Sequence, residues 1–151
     1  MKTHTHLGCK ELEEAKKSGA PIDDIVCRVA LEHHERFLGH GYPFGKKGRL
    51  EDDPSNGIHI NSRFVAIADA YSALLMKRVY KPALSPEKAL TLMSQNADKD
   101  FDMEIYNSFV NTIKRSLNYL DEQRENKFGS VENSGGSLDY SKANVLVKKA
   151  K

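Results

Sequence analysis

His33 and His34 stand side by side in this chain, followed at once by Glu35 and Arg36 and then by the glycine-rich run Gly39-His40-Gly41-Tyr42-Pro43-Phe44-Gly45. Neutral imidazole is the commonest protein donor to first-row metals, so adjacent histidines beside a carboxylate form a reasonable ligand set. A further histidine, His4, lies in Met1-Lys2-Thr3-His4-Thr5-His6-Leu7-Gly8. Alone and near a terminus it would be solvated, and His6 is expected to be exposed. Asp69 falls in Val65-Ala66-Ile67-Ala68-Asp69-Ala70. A carboxylate in an apolar helix is costly to bury unless it is paired or binds a metal. Metal-assisted hydrolysis is the chemistry that such a set could carry.

The elements that must position these residues are helical almost throughout. The segment from His4 to about Ser18 reads as a helix ending in Lys16, Lys17 and Gly19, a good C-terminal signal. A second helix opens at Pro21 with Asp23 and Asp24 in its first turn, where the helix dipole favours negative charge. Its apolar positions Ile25, Val26, Val29 and Ala30, continued by one turn, reach His33 and His34, so the histidines extend an inward stripe. Residues 39–57 read as a loop. A long helix follows, capped by Asn61 or Ser62, with Phe64, Ile67, Ala68, Tyr71, Leu74 and Leu75 as its apolar face. Ser85-Pro86 opens a short helix with Ala89, Leu90 and Met93 inward. Asp100 or Asp102 caps the last clear helix, whose stripe of Tyr106, Phe109, Val110, Ile113, Leu117 and Leu120 is the strongest amphipathic pattern in the chain. From residue 128 the composition shifts to Gly, Ser and Asn, giving residues 1–127 as the folded part and 128–151 as a flexible linker and tail. Within the tail, Val145 and Val147 hint at a weak alternation, and there is no internal repeat.

Composition narrows the class. The chain has 151 residues, room for one domain with a real core. A formal charge of +2 gives no case for nucleic-acid binding, and no run of about 18 apolar residues marks a membrane span. No apolar signal region follows Met1, and Cys9 and Cys27 lack metal-finger spacing. They read as buried, reduced thiols, and the expected location is cytoplasmic.

The motif HHERxxGxGYPxG, with IADxYxAL and RxYKxAxS after it in order, closely resembles the HD-GYP family of metal-dependent phosphohydrolases, whose best-known substrate is cyclic di-GMP. The resemblance covers about residues 1–110. It implies an all-α helical bundle of the HD-domain type and a metal-dependent phosphodiesterase acting on cyclic di-GMP. By the same resemblance the metal ligands are His4, His33, His34 and Asp69. Tyr42 would stack on a guanine, while Arg78 and Lys81 would bind the phosphodiester, as a guanidinium fork and an ammonium both suit anionic oxygens. Arg36 and Arg63 also match family positions, with a structural ion pair as the equal alternative. No side chain is expected as nucleophile, because two or three ions, iron or manganese in the family, polarise the phosphate and activate the attacking water.

The match also has gaps. The family's upstream His-Asp dyad and a nearby lysine have no residues here to map onto, so the bundle reads as truncated at its N-terminus, with Met1 inside a family helix. Leu38 and Ser72 stand where the family usually has aspartates, and extra residues around Glu51 to Asn61 lengthen the loop. Four ligands could hold at most one ion in this chain alone, so the isolated chain is expected to be inactive unless an upstream segment or a partner chain completes it. The competing reading is a degenerate, non-catalytic module that binds a nucleotide or a partner. A related phosphohydrolase acting on another nucleotide is a third. Gly8, one turn after His4, would admit a close backbone or ligand approach, or serve helix packing.

Overall fold

Helical periodicity carries through to the structure. The computed structural model describes residues 2–48, 57–77 and 82–132, with backbone only from 126. Its regular elements among these are α1 (His4–Lys17), α2 (Asp24–Glu32), α3 (Ile60–Leu75), α4 (Pro86–Ser94), α5 (Ala97–Asp100) and α6 (Met103–Glu132). Among the described residues the remaining regular pairing is one isolated antiparallel bridge, Leu38 to Lys47. The expected all-α class is what the chain adopts.

Local chemistry sets the helix ends. Asp23 lies outside α2, not in its first turn: extended backbone makes it the N-cap, and its side chain accepts from Ile25 N at 2.9 Å. The cap of α3 is neither Asn61 nor Ser62 but His59, whose Nδ1 accepts from Asn61 N at 3.2 Å. Ser62 is needed elsewhere, fully buried against Glu32. Ser85 caps α4 with Pro86 in its first turn, and Asp102 accepts from Glu104 N at 3.1 Å at the start of α6. Thr3 precedes α1 without a side-chain cap.

Helices α1 and α2 pack on each other and bury Cys9 and Cys27. A second cluster joins α3, α4, α5 and the start of α6: Ile67, Met93, Ala97, Phe101, Ile105 and Tyr106, with Tyr71 and Phe109 packed edge to face at 5.3 Å against it. The expected face of α4, Ala89, Leu90 and Met93, is buried. That of α3 is rotated from the expected one. Ser62, Ala66 and Ile67 point inward, and the helical repeat therefore turns Phe64 (52% exposed), Ala68 and Asp69 outward. Val26 on α2 is likewise 42% exposed, outside the stripe assigned to it.

The chain divides at Asn111 into two units, 1–111 and 112–151. In the second, the described part is the remainder of α6. Ile113 and Leu117 are half-buried, whereas Leu120 at the end of the expected stripe is exposed. The helix runs to Glu132, beyond the point where composition alone suggested a linker.

Candidate metal centre

Helix α2 stops at Glu32, so His33 occupies the C-cap and His34 the turn after it. They lie just beyond the helix, and both are half-buried. His33 Nδ1 lies 3.1 Å from the carbonyl of Val29 and 3.0 Å from that of Ala30. A carbonyl can only accept, so Nδ1 carries the proton and Nε2 keeps its lone pair for a metal. From α1, His4 brings its ring to 5.5 Å from His33 and 4.9 Å from His34. Ligand atoms of the three imidazoles lie within 4.8 Å of one another. Three imidazole nitrogens converging like this fit one transition-metal ion.

Of the three imidazoles, His34 has the environment that disfavours its charged form. Burial pushes the His34 imidazole below its ordinary value, and the neighbouring charges of His33, His4 and Arg36 act in the same direction against Asp69. Tyr42 stacks on His34 with ring centroids 4.7 Å apart and 27° between planes. Its phenol is raised by burial, with Arg36 opposing and Asp69 reinforcing.

Two carboxylates hold this loop: Glu35, read from sequence as the carboxylate beside the histidines, and Glu32, which that reading left unused. Glu35 is fully buried and accepts from Phe44 N at 2.7 Å and Lys46 N at 2.9 Å. Glu32, equally buried, accepts from Arg28 and Lys46 side chains, from His59 N and from Ser62 Oγ. The loop also leans on α5: Phe37 N and Leu38 N donate to the carbonyls of Asp100 and Lys99, and His40 Nε2 lies 2.7 Å from Asp100. Gly41 lets the chain double back, because a Cβ there would lie 2.3 Å from Arg36 N.

With this geometry in hand, comparison with known proteins is decisive for the family. Residues 1–105 match the HD domain. The chain belongs to the HD domain family. It is 36% identical over 130 residues to a probable cyclic di-GMP phosphodiesterase of Vibrio cholerae, covering 82% of this chain and 28% of that protein. A cyclic di-GMP phosphodiesterase of Thermotoga maritima is 32% identical over 136 residues, covering 90% and 33%. A 3'3'-cGAMP-specific phosphodiesterase 1 of Vibrio cholerae is 39% identical over 69 residues, covering 46% and 14%. The HD domain described here thus spans at most a third of the length of these relatives.

The expected site residues of this HD domain fall into three groups. His4, His33, His34 and Tyr42 come together. Asp69 does not lie in the group within 4.8 Å, and it is exposed rather than buried, since it rides the outward side of α3; its charge nonetheless acts on His34 and Tyr42. Arg78 and Lys81 lie outside the described residues. Arg63 takes the structural alternative, pairing with buried Asp102 at 2.6 Å. Arg36 lies 3.9 Å from Asp100 and over the Phe101 ring, with its Nη1 buried and without a hydrogen-bond partner. His6 is exposed as expected. At Gly8 nothing among the described residues lies within 4 Å of where a Cβ would be, so tight helix packing does not explain it. The anchoring roles of Glu32 and Glu35 were missed because nothing in their sequence setting separates an anchoring carboxylate from a solvated one, or, for Glu35, from a ligand beside the histidines. No helix among the described residues is long and apolar enough to cross a membrane.

Proposed function

We propose that this HD domain is of the HD-GYP kind and forms part of a metal-dependent phosphodiesterase that hydrolyses cyclic di-GMP. The convergence of His4, His33 and His34 beneath the Tyr42 ring carries the reading. The names of the Vibrio cholerae and Thermotoga maritima relatives support the substrate. In this reading the three imidazoles hold a divalent ion, iron or manganese, and Asp69 joins them as the fourth ligand. Such an ion supplies charge stabilisation at the phosphate and a more acidic water. Tyr42 stacks on a guanine, and Arg78 and Lys81 hold the phosphodiester oxygens. Glu32 and Glu35 act through the backbone, keeping His33, His34 and Tyr42 in one arrangement. Further ions and their ligands come from another segment or a partner chain, and the isolated 151-residue chain is inactive without them. The reaction takes place in the cytoplasm, as the reduced thiols Cys9 and Cys27 suit.

One observation favours a second reading, a non-catalytic module that binds a nucleotide or a partner. Asp69 lies outside the histidine group, and exposed Leu38 offers no ligand where the resembled family has an aspartate. Metal content measured together with turnover separates the two. Bound iron or manganese and product from cyclic di-GMP, once the missing ligands are supplied, support the enzyme. Nucleotide binding by a metal-free protein supports the module.

A further inference from the structure

We propose that Phe44, with His6 and Lys46 around it, is a second base-stacking platform at the mouth of this site, taking a nucleobase of a cyclic dinucleotide. Phe44 follows Tyr42-Pro43 in the loop, yet its ring does not join the histidine cluster. It is 54% exposed, an unfavourable state for a large apolar ring. A single exposed apolar side chain is ordinary on a protein surface, and three observations separate this one.

The backbone of Phe44 is fixed. Its N–H donates to Glu35 Oε1 at 2.7 Å, and Glu35 is itself fully buried. The ring is therefore presented from a held position and loses little freedom on binding. Its surroundings are polar and specific. Lys46 Nζ lies 5.4 Å from the ring centroid while bonded to Glu32 at 2.9 Å, and the His6 ring meets Phe44 at 5.7 Å with 66° between planes. The ammonium and the imidazole thus both border the ring, and just over half of Phe44 stays exposed. Its position relative to the first platform completes the case. His4 and His6 lie two residues apart in the first turn of α1, and their rings meet those of Tyr42 and Phe44 respectively. The two aromatic rings flank Pro43, and a ligand with two bases offers one to each. His6 Nδ1 lies 3.5 Å from Thr5 Oγ1, which leaves Nε2 for the polar edge of a base.

This inference rests on the cyclic dinucleotide reading above. The test is equilibrium binding of cyclic di-GMP to the 151-residue chain in the presence of Mn2+, with manganese content measured on the same samples. Aromatic stacking on a base predicts that Phe44→Ala weakens binding by on the order of tenfold or more, that Phe44→Tyr keeps it, and that manganese content is unchanged in both. His6→Ala should weaken binding less than Phe44→Ala. Equal binding by the parent chain and Phe44→Ala overturns the platform while leaving the substrate reading intact. A Phe44→Tyr variant as weak as Phe44→Ala also overturns it. A parent chain that holds manganese but binds no cyclic di-GMP overturns both.

Discussion

The carboxylate of Glu32, the last residue of α2, accepts the backbone N–H of His59, the cap of α3, at 2.9 Å. The same group takes Ser62 Oγ at 3.1 Å, Arg28 Nε at 3.1 Å and Lys46 Nζ at 2.9 Å. One buried anion thus joins two helices and the end of the metal-site loop. Glu32→Ala removes the shared acceptor of Lys46, Ser62 and His59 N, while Arg28 keeps the Gly57 carbonyl at 3.1 Å, and should cost about 3 kcal/mol. Urea denaturation checks this; a loss below 1 kcal/mol would show that the network carries no stability.

Burial pushes the Glu32 carboxyl up, but the hydrogen bonds from Lys46, His59 and Arg28 and the Lys46 charge outweigh it, holding the group below its ordinary 4.5. A carboxyl with a depressed folded value stabilises the fold fully above its unfolded value and loses that contribution as pH falls through the folded one. The stability difference between the parent chain and Glu32→Gln should therefore be constant above about pH 5 and shrink progressively below pH 4.5. A difference that grows on acidification would reverse the sign and sink the assignment.

Two glycines should behave oppositely. A methyl group at Gly8 meets nothing among the described residues within 4 Å on a regular helix, so Gly8→Ala should raise stability by about 1 kcal/mol. A Cβ at Gly41 would meet Arg36 N at 2.3 Å and Glu35 Cα at 2.5 Å. Gly41→Ala must displace the loop and should lower both stability and affinity for manganese, read by thermal melts with and without the ion.

His34→Ala should abolish metal-induced stabilisation without unfolding the chain. At a metal concentration a hundred times the dissociation constant the parent gains about 2.7 kcal/mol, and the variant should gain none. Full metal occupancy in the variant, measured by elemental analysis, would remove His34 from the ligand set.

Cys9 should resist alkylation. Burial, with the Glu13 carboxylate and Cys27 adding to it, pushes its thiol up to about 11. At pH 8 about a thousandth is thiolate, so iodoacetamide should label it far more slowly in the folded chain than after denaturation. Equal rates in both states would contradict the burial.

Much of this protein follows from residue order alone, because helix formation and capping are local. The repeat of Ala89, Leu90 and Met93, the Ser85-Pro86 opening of α4 and the Asp102 start of α6 need only neighbours a turn away. The linear motif around His33, His34 and Tyr42 pointed to the histidine cluster for a similar reason, since these residues are close in sequence. What the tertiary structure decided is everything that depends on which side of a helix is covered. The sequence placed Phe64 and Ala68 on the apolar face of α3, but packing against α4, α5 and α6 chose a rotation that exposes both, together with Asp69. Likewise Glu32 looks like an ordinary surface carboxylate in sequence, and Glu35 like a companion of the histidine pair. Only their burial against Lys46, His59 and the loop amides, partners 9 to 27 residues away, makes them the anchors of the site, because a buried charge is stable only where its hydrogen-bond partners converge on it.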